Sequence, residues 1–523
     1  MKSPYRIFTG CVLVAAFFGV AALAEYRPDK TFPVNDNNTG LFDQPSVAMN
    51  GTVAHVAYIG DTTGTGYKVY YAAINSAADF RTVQRDNTLI LQIPTTIDNT
   101  DAGNDTYADA RHPKIAVRSG TEVVILFQAK PASTADTAYR LYIARLTLAG
   151  NAVVQKSVKQ VQGLPAGTIE DVSWALIASD SSARVVYSTR SAIVAPEPFQ
   201  LTFARIGLDN ATAAAPIAVT ALYPASLGSR PIPNLKLDDL NREHIAWSSD
   251  DTPGSAAGPV YYAMIEETNG VDNMSLAPTE IMTRYQTGYT FPSVLVINRS
   301  SIAVIAADAA HGDLSYVQLN PDAVQRNGRP ASDNNIPVNN QFWLVPPGEA
   351  ILPPNFRLFR PDAFYETGSG RVYMTGYGAG GQRGATFLAF KLNTAASTAD
   401  FVQTATQFAL DEPPSGLDND YTQAAFGFPG GKVIVFWSGE VGANRNLDFT
   451  TMPTLAAWVN SNESGCAMVA DPARGAPGRI PGALALFLPA AVLAARRIVV
   501  RRQRLARATG PGSRGSAGGT IGR

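Results

Sequence analysis

Arg111-His112-Pro113-Lys114-Ile115-Ala116-Val117 opens the stretch whose reading decides the fold. A turn at Arg118-Ser119-Gly120 leads to Glu122-Val123-Val124-Ile125-Leu126-Phe127, and a polar loop leads on to Leu141-Tyr142-Ile143-Ala144-Arg145-Leu146. Three short runs rich in β-branched and aromatic residues, bounded by Gly, Ser and Pro, predict an antiparallel meander. Outward from this stretch the same triplet recurs, about seven times in all. One unit before it has Gln44-Pro45-Ser46-Val47, Val53 to Tyr58 and Val69 to Ile74. Five follow, with first runs at Glu170, Arg230, Phe291, Arg360 and Tyr421. The starts lie roughly 58 to 69 residues apart, and five of the seven place Pro at the same point.

Fixed-period self-similarity is the mark of a repeat architecture. A more variable fourth run, such as Val153-Val154-Gln155 or Ile217-Ala218-Val219, gives about four strands per unit. One such unit buries neither face alone, but units stacked radially do. The expectation is an all-β chain whose body, residues 44–455, is a seven-bladed β-propeller preceded by a lead-in or closing strand at 25–43. Six or eight blades, or two tandem β-sandwiches, are the alternatives, and the even spacing without a linker disfavours the sandwiches.

Bulk properties fit a large buried core: 46% of the 523 residues are apolar and 16% charged. The net charge of −1 conceals an uneven distribution. Ten Arg against one Asp follow Gly465, Lys2 and Arg6 precede residue 25, and the body between is strongly acidic. That excludes nucleic acid as a partner, because phosphate binding needs clustered Lys and Arg. The two cysteines, Cys11 and Cys466, lie outside the body, which is neither a disulfide scaffold nor a Cys-ligated metal protein.

The ends predict export. Residues 1–24 combine Lys2 and Arg6 with an apolar run from Cys11 to Val20 and close on Ala22-Leu23-Ala24, a small-x-small pattern expected to be cut after Ala24. At the other end a linker, 456–479, carries Ser464-Gly465-Cys466. A short apolar segment, expected as a transmembrane or sorting helix over 480–500, follows it and is interrupted by Pro489. Arg496, Arg497, Arg501, Arg502, Arg504 and Arg507 come next, and 501–523 is a basic, low-complexity tail. Arginine after the apolar run predicts a cytoplasmic C-terminus before processing. The order of Cys motif, apolar run and Arg cluster resembles the C-terminal sorting signals of bacterial surface proteins, of the JDVT-type and Myxo-type in the rhombosortase style. That resemblance implies a sorting protease acting near Gly465 and Cys466.

The Pro-led first strand, the Gly turn and the aromatic third strand resemble sialidase-like and BNR-like propellers. The resemblance covers most of residues 44–452. The family's Asp box is not present in intact form; Ser248-Ser249-Asp250-Asp251 is a partial echo, between the second and third runs.

In a propeller the start of each first strand reaches one mouth of the central channel. Corresponding residues then form a ring of Asp43 and Gln44, Arg111 and His112, Glu170 and Asp171, Arg230, Tyr289, Arg360 with Asp362, and Asp420 with Tyr421, and the candidate ligand-binding residues among them are Arg111, His112, Glu170, Asp171, Arg230, Arg360, Asp420 and Tyr421. Arg111, Arg230 and Arg360 invite comparison with the arginine triad by which sialidases hold a carboxylate. On that resemblance Tyr421 or Tyr289 is a candidate nucleophile, with Glu170 or Asp171 as its base. The competing reading is structural, with Arg111–Glu170 and Arg360–Asp420 as ion pairs between neighbouring blades. No catalytic motif is present: there is no HExxH, Walker loop, nucleophile elbow or dinucleotide fingerprint. The oxygen-rich loop Asp98 to Asp105, with Asp98, Asp101 and Asp105, is a candidate calcium site whose spacing departs from an EF-hand loop. His55 and His244 share a place in the second run beside aromatic residues and are expected to pack within their blades. The functional expectation is an exported, membrane-held binding or scaffold module for a glycan or a surface protein. A sialidase-like glycoside hydrolase is the alternative.

Overall fold

The computed structural model describes residues 32–34, 40–80, 82, 89–97, 105–132, 138–165, 167–190, 200–219, 231–248, 260–282, 289–308, 314–321, 341–343, 357–366, 370–379, 384–391, 406–409, 432–441 and 444–453. All lie in the first of two units, Met1–Asn460; the second, Ser461–Arg523, is outside them. The described residues are all-β, a succession of antiparallel sheets with almost no helix among them. Among the described residues there are six sheets.

Sheet 2 is the opening stretch of the sequence, and its four strands run Tyr107–Ser119, Glu122–Pro131, Arg140–Ala149 and Ala152–Gln160, each hydrogen-bonded to the next. Burial falls from the inside outward. The second strand is buried on both faces over Val123–Ala129, whereas Ala152–Gln160 is mostly exposed or half-buried. Side-chain alternation along the second strand feeds two cores at once. Val123, Ile125 and Phe127 pack with Ala57, Val69 and Tyr71 of sheet 1, while Val124 and Leu126 pack with Val172, Val185 and Tyr187 of sheet 3. Equivalent layers join sheet 3 to sheet 4 through Val186, Phe203, Ile245 and Trp247, and sheet 4 to sheet 5 through Tyr262, Met264, Val294 and Val304. The apolar runs of the sequence are apolar on both faces for this reason.

First strands pack against first strands. That of sheet 1 (Leu41–Asn50) meets that of sheet 2, and the contacts continue to sheet 3 (Thr168–Ile177), sheet 4 (Ile232–Leu237), sheet 5 (Tyr289–Asn298) and sheet 6 (Arg357–Glu366). One hydrogen bond repeats along this row. A side-chain oxygen of one first strand accepts the backbone N–H of the residue one register step on in the next. Ser46 Oγ accepts from Ile115 at 3.1 Å, Ser173 Oγ from Leu235 at 2.9 Å, and Asn234 Oδ1 from Val294 at 2.9 Å. Arginines at the hairpin turns add a second set of links. Arg118 donates to Ser181 Oγ, Arg184 Nε to Glu243 Oε1 at 2.9 Å, and Arg242 to the Arg299 carbonyl. Burial pushes the Glu243 carboxyl up to about 8 although Arg184 opposes the shift.

The recurring Pro has a structural cause. In first strands the ladder skips two residues, Gln44-Pro45 opposite the second strand of sheet 1, and likewise His112-Pro113, Phe291-Pro292 and Arg360-Pro361. Proline has no N–H to give a ladder, so it sits where the ladder is interrupted. Gln44 and His112 take φ of 55° and 50°, left-handed values that turn the chain within the bulge.

Sheet 1 closes the two ends of the body. It holds Leu41–Asn50, Val53–Asp61, Lys68–Asn75 and Ile90–Thr96, together with the C-terminal hairpin Lys432–Val441 and Asn444–Pro453 and the early strand Phe32–Pro33. Phe32 pairs with Phe449 and Pro33 with Asp448, antiparallel, and Leu41 meets Arg445 in a parallel pair. Phe32, Phe80, Phe436 and Phe449 fill the core beneath this seam. No helix among the described residues is long and apolar enough to cross a membrane; residues 480–500 are outside them.

Candidate functional site

A cleft of about 670 Å³ opens beside the seam, where the starts of the first strands of sheets 1 and 2 meet the C-terminal hairpin. Asp43, Gln44, Tyr67, Asp109, Arg111, Lys130, Tyr139 and Arg445 line it with small residues of the neighbouring loops.

The chain builds the cleft from its bulges and one tight loop. Gln44 accepts the His112 N–H on Oε1 at 2.5 Å, so the bulge of sheet 1 holds the bulge of sheet 2. Asp61 ties its own loop by accepting the N–H groups of Thr63, Gly64 and Gly66. Gly66, at φ +117°, lets that loop approach sheet 2; a Cβ there would lie 3.0 Å from the Ala108 carbonyl. The Tyr67 N–H then donates to Asp109 Oδ1 at 3.2 Å, and the Tyr67 carbonyl accepts from Ala110 at 2.9 Å.

Three ion pairs surround the opening. Arg445 lies 3.0 Å from Asp43, Lys130 3.0 Å from Asp109, and Arg111 3.3 Å from Glu170. Asp43 is 5% exposed and accepts from Ser438 Oγ and the Gln44 N–H. Desolvation raises its pKa above the ordinary carboxylate value in spite of these donors. Desolvation works in the same direction on Asp109, but the Tyr139 hydroxyl at 2.7 Å, Lys130 and the Tyr67 amide outweigh it and hold the carboxyl below its ordinary value. Burial, then the bond to Asp109, pushes the Tyr139 phenol up, and Asp109 raises Lys130. Tyr139 is further held by Arg111, whose guanidinium lies 3.6 Å from the ring centroid, with Lys130 at 4.8 Å.

Of the residues singled out in the sequence, the fold brings Arg111 and Glu170 together, and Arg111 lines the cleft. Arg111 Nε also donates to Gln128 and its Nη2 to the Ile169 carbonyl. His112 is buried in the bulge, and Asp171 is buried with its N–H on Ser188 Oγ. The register sets Arg360 level with His112 instead of Arg111, since both fall in the skipped pair. The Arg360 side chain and Arg230, Asp420, Tyr421, Ala24, Gly465 and Cys466 lie outside the described residues. So do Asp98 and Asp101; Asp105 spends Oδ2 on the Gln160 N–H at 2.7 Å. Lys130, Tyr139, Tyr67 and Arg445 were missed because each sits on a loop or a later strand, away from the Pro-marked start. Tyr67 alone had a signal, the Gly64-Thr65-Gly66 turn before it.

No family model matches this chain, and no curated protein matches it. Solved structures similar to it include a protein of unknown function from Dyadobacter fermentans DSM 18053 at 10% identity, covering 82% of this chain and 99% of that one, with a TM-score of 0.44. A Hadza microbial sialidase is similar at 10% identity, over 82% of this chain and 95% of its own, with a TM-score of 0.42. The Dos1 propeller is similar at 10% identity over 83% and 96%, with a TM-score of 0.37. What the cleft can do follows from its own residues.

Proposed function

We propose that this chain is an exported, membrane-held binding module, a seven-bladed propeller that takes a glycan in the cleft beside its seam. The hairpin 432–453 with the early strand Phe32–Pro33 is the seventh blade in this reading. The leader at 1–24 delivers the body and the segment at 480–500 retains it. The observation that carries the reading is the cleft itself, a concavity of ligand size in which an aromatic ring, paired charges and backbone carbonyls converge.

A hydrolase is supported less well. Of the phenols that line the cleft, Tyr139 donates its hydrogen bond to the Asp109 carboxylate, is held protonated by its raised pKa, and has Arg111 against its ring. That contact is the geometry of a nucleophile and its base, but the donors that hold Asp109 below its ordinary value leave it a weak acceptor for a phenol proton. The test is a glycan and peptide array probed with the purified protein. Glycan binding is expected, weakened at least tenfold by Tyr67→Ala when assayed well below the melting temperature of the variant, and a fluorogenic sialoside is expected to stay intact. Binding confined to peptides, or glycan binding that ignores Tyr67→Ala, would remove the reading.

A further inference from the structure

Every cation that lines the cleft is already matched. Arg445 has Asp43, Lys130 has Asp109, and Arg111 has Glu170, all within 3.3 Å. Arg111 is committed further, to Gln128, the Ile169 carbonyl and the face of Tyr139. An anionic ligand entering here must displace a carboxylate held on the same frame, and it meets no net positive field to compensate for its lost hydration. A sugar hydroxyl faces no such competition, because it donates and accepts together. Asp109 Oδ1 takes the Tyr67 N–H and keeps further lone-pair capacity, and its side chain is about a quarter exposed. Tyr67 packs against the core shared by sheets 1 and 2 while lining the cleft, which gives the C–H face of a pyranose a fixed aromatic surface.

We infer that the cleft selects neutral saccharides over acidic ones, with Asp109 as hydroxyl acceptor, Tyr67 as stacking surface and the three ion pairs as the element that excludes anions. This rests on the glycan-binding reading above and narrows it to a ligand class. It also implies that Glu170, outside the cleft lining, sets specificity through its pair with Arg111.

The test is an array of matched glycans, each neutral oligosaccharide beside its sialylated, uronic-acid and sulfated counterparts, probed with the full chain at 50 mM and 500 mM NaCl. Preferred members are then titrated calorimetrically. Neutral members should bind at least tenfold more tightly than their acidic counterparts, with less than a twofold change between the two salts, since no counterions are released on binding. Glu170→Gln, which frees Arg111 without altering the lining, should shift the ratio toward acidic members by at least fivefold. Asp109→Asn should do the same while also weakening neutral binding. Acidic members bound more tightly by the wild type, with affinity falling as salt rises, would overturn the inference and leave the glycan reading standing. A ratio unmoved by Glu170→Gln in a protein that melts like the wild type would also overturn it. No glycan bound at either salt would remove both.

Discussion

His55 shows what one buried titrating side chain does to this fold. It is 1% exposed, shares a hydrogen bond of 2.7 Å with the Tyr71 hydroxyl and stacks on that ring, and His244 repeats the arrangement with Tyr262 at 2.6 Å. Desolvation lowers the pKa of His55 to about 4. The folded protein therefore holds the ring neutral, whereas the unfolded chain takes a proton below about pH 6.5. The contribution of His55 to stability is complete above pH 6.5, declines as pH falls toward 4, and declines no further below that. Its full size is at most about 3 kcal/mol. Urea unfolding between pH 7.5 and 4 should show a smaller acid loss for His55→Gln than for the wild type; parallel curves would contradict this. The shared place of His55 and His244 was legible in the sequence because each falls in the second run of its unit. Their Tyr partners were legible only as a class, since the third run holds several aromatic residues and only the register picks one.

Among the elements, the first strands carry most of the information. Their repeated X-Pro dipeptide could be read from the chain, but its meaning needed the ladder, which passes over both residues. Arg111 and Arg360 look equivalent as the charged starts of their runs, but counted from the proline Arg360 matches His112, and the register places it there. The row of side-chain acceptors at Ser46, Ser173 and Asn234 was not legible at all, because Ser and Asn in a strand look unremarkable until the neighbouring N–H is in place. Each bond satisfies a backbone donor that the first strand cannot satisfy within its own sheet. Ser173→Ala should cost about 1 kcal/mol or somewhat more in chemical denaturation, the worth of one such bond plus an exposed-to-nothing N–H of Leu235. The exposed Ser119→Ala should stay within about 0.5 kcal/mol. Equal effects at the two sites would mean that the row is incidental.

For the whole molecule, the seam decides both stability and site. Phe32 lies at an edge-to-face 5.7 Å from Phe80 and 6.0 Å from Phe449, and Val34 donates to the Leu447 carbonyl at 2.7 Å. Phe32→Ala should therefore destabilise the protein by about 3–5 kcal/mol, the range for emptying a buried aromatic position, and a melt like the wild type's would show that this strand does not close the fold. The repeat was legible over the six units whose first strands are described, because packing forces each of them to spell the same apolar pattern; the first run of the seventh, from Tyr421, lies outside the described residues. The cleft was legible in the first-strand starts, Asp43 and Gln44 in one unit and Arg111 in the next, with its partner Glu170 in the third. The pairing of Asp43 with Arg445, about 400 residues apart in sequence, comes through chain closure, which no local pattern records.

That closure also has a mechanical side. Phe32 lies opposite Phe449 and Pro33 opposite Asp448, so the N-terminal end of the one strand and the C-terminal side of the other lie at the same end of the pair. Tension applied between the two ends unzips this pair one bond after another and never shears it as a block. The strand Phe32–Pro33 pairs with Asn444–Pro453, the strand that carries Arg445 into the cleft wall beside Asp43. A pull on the two ends of the body therefore acts first on a strand pair that includes one wall of the cleft.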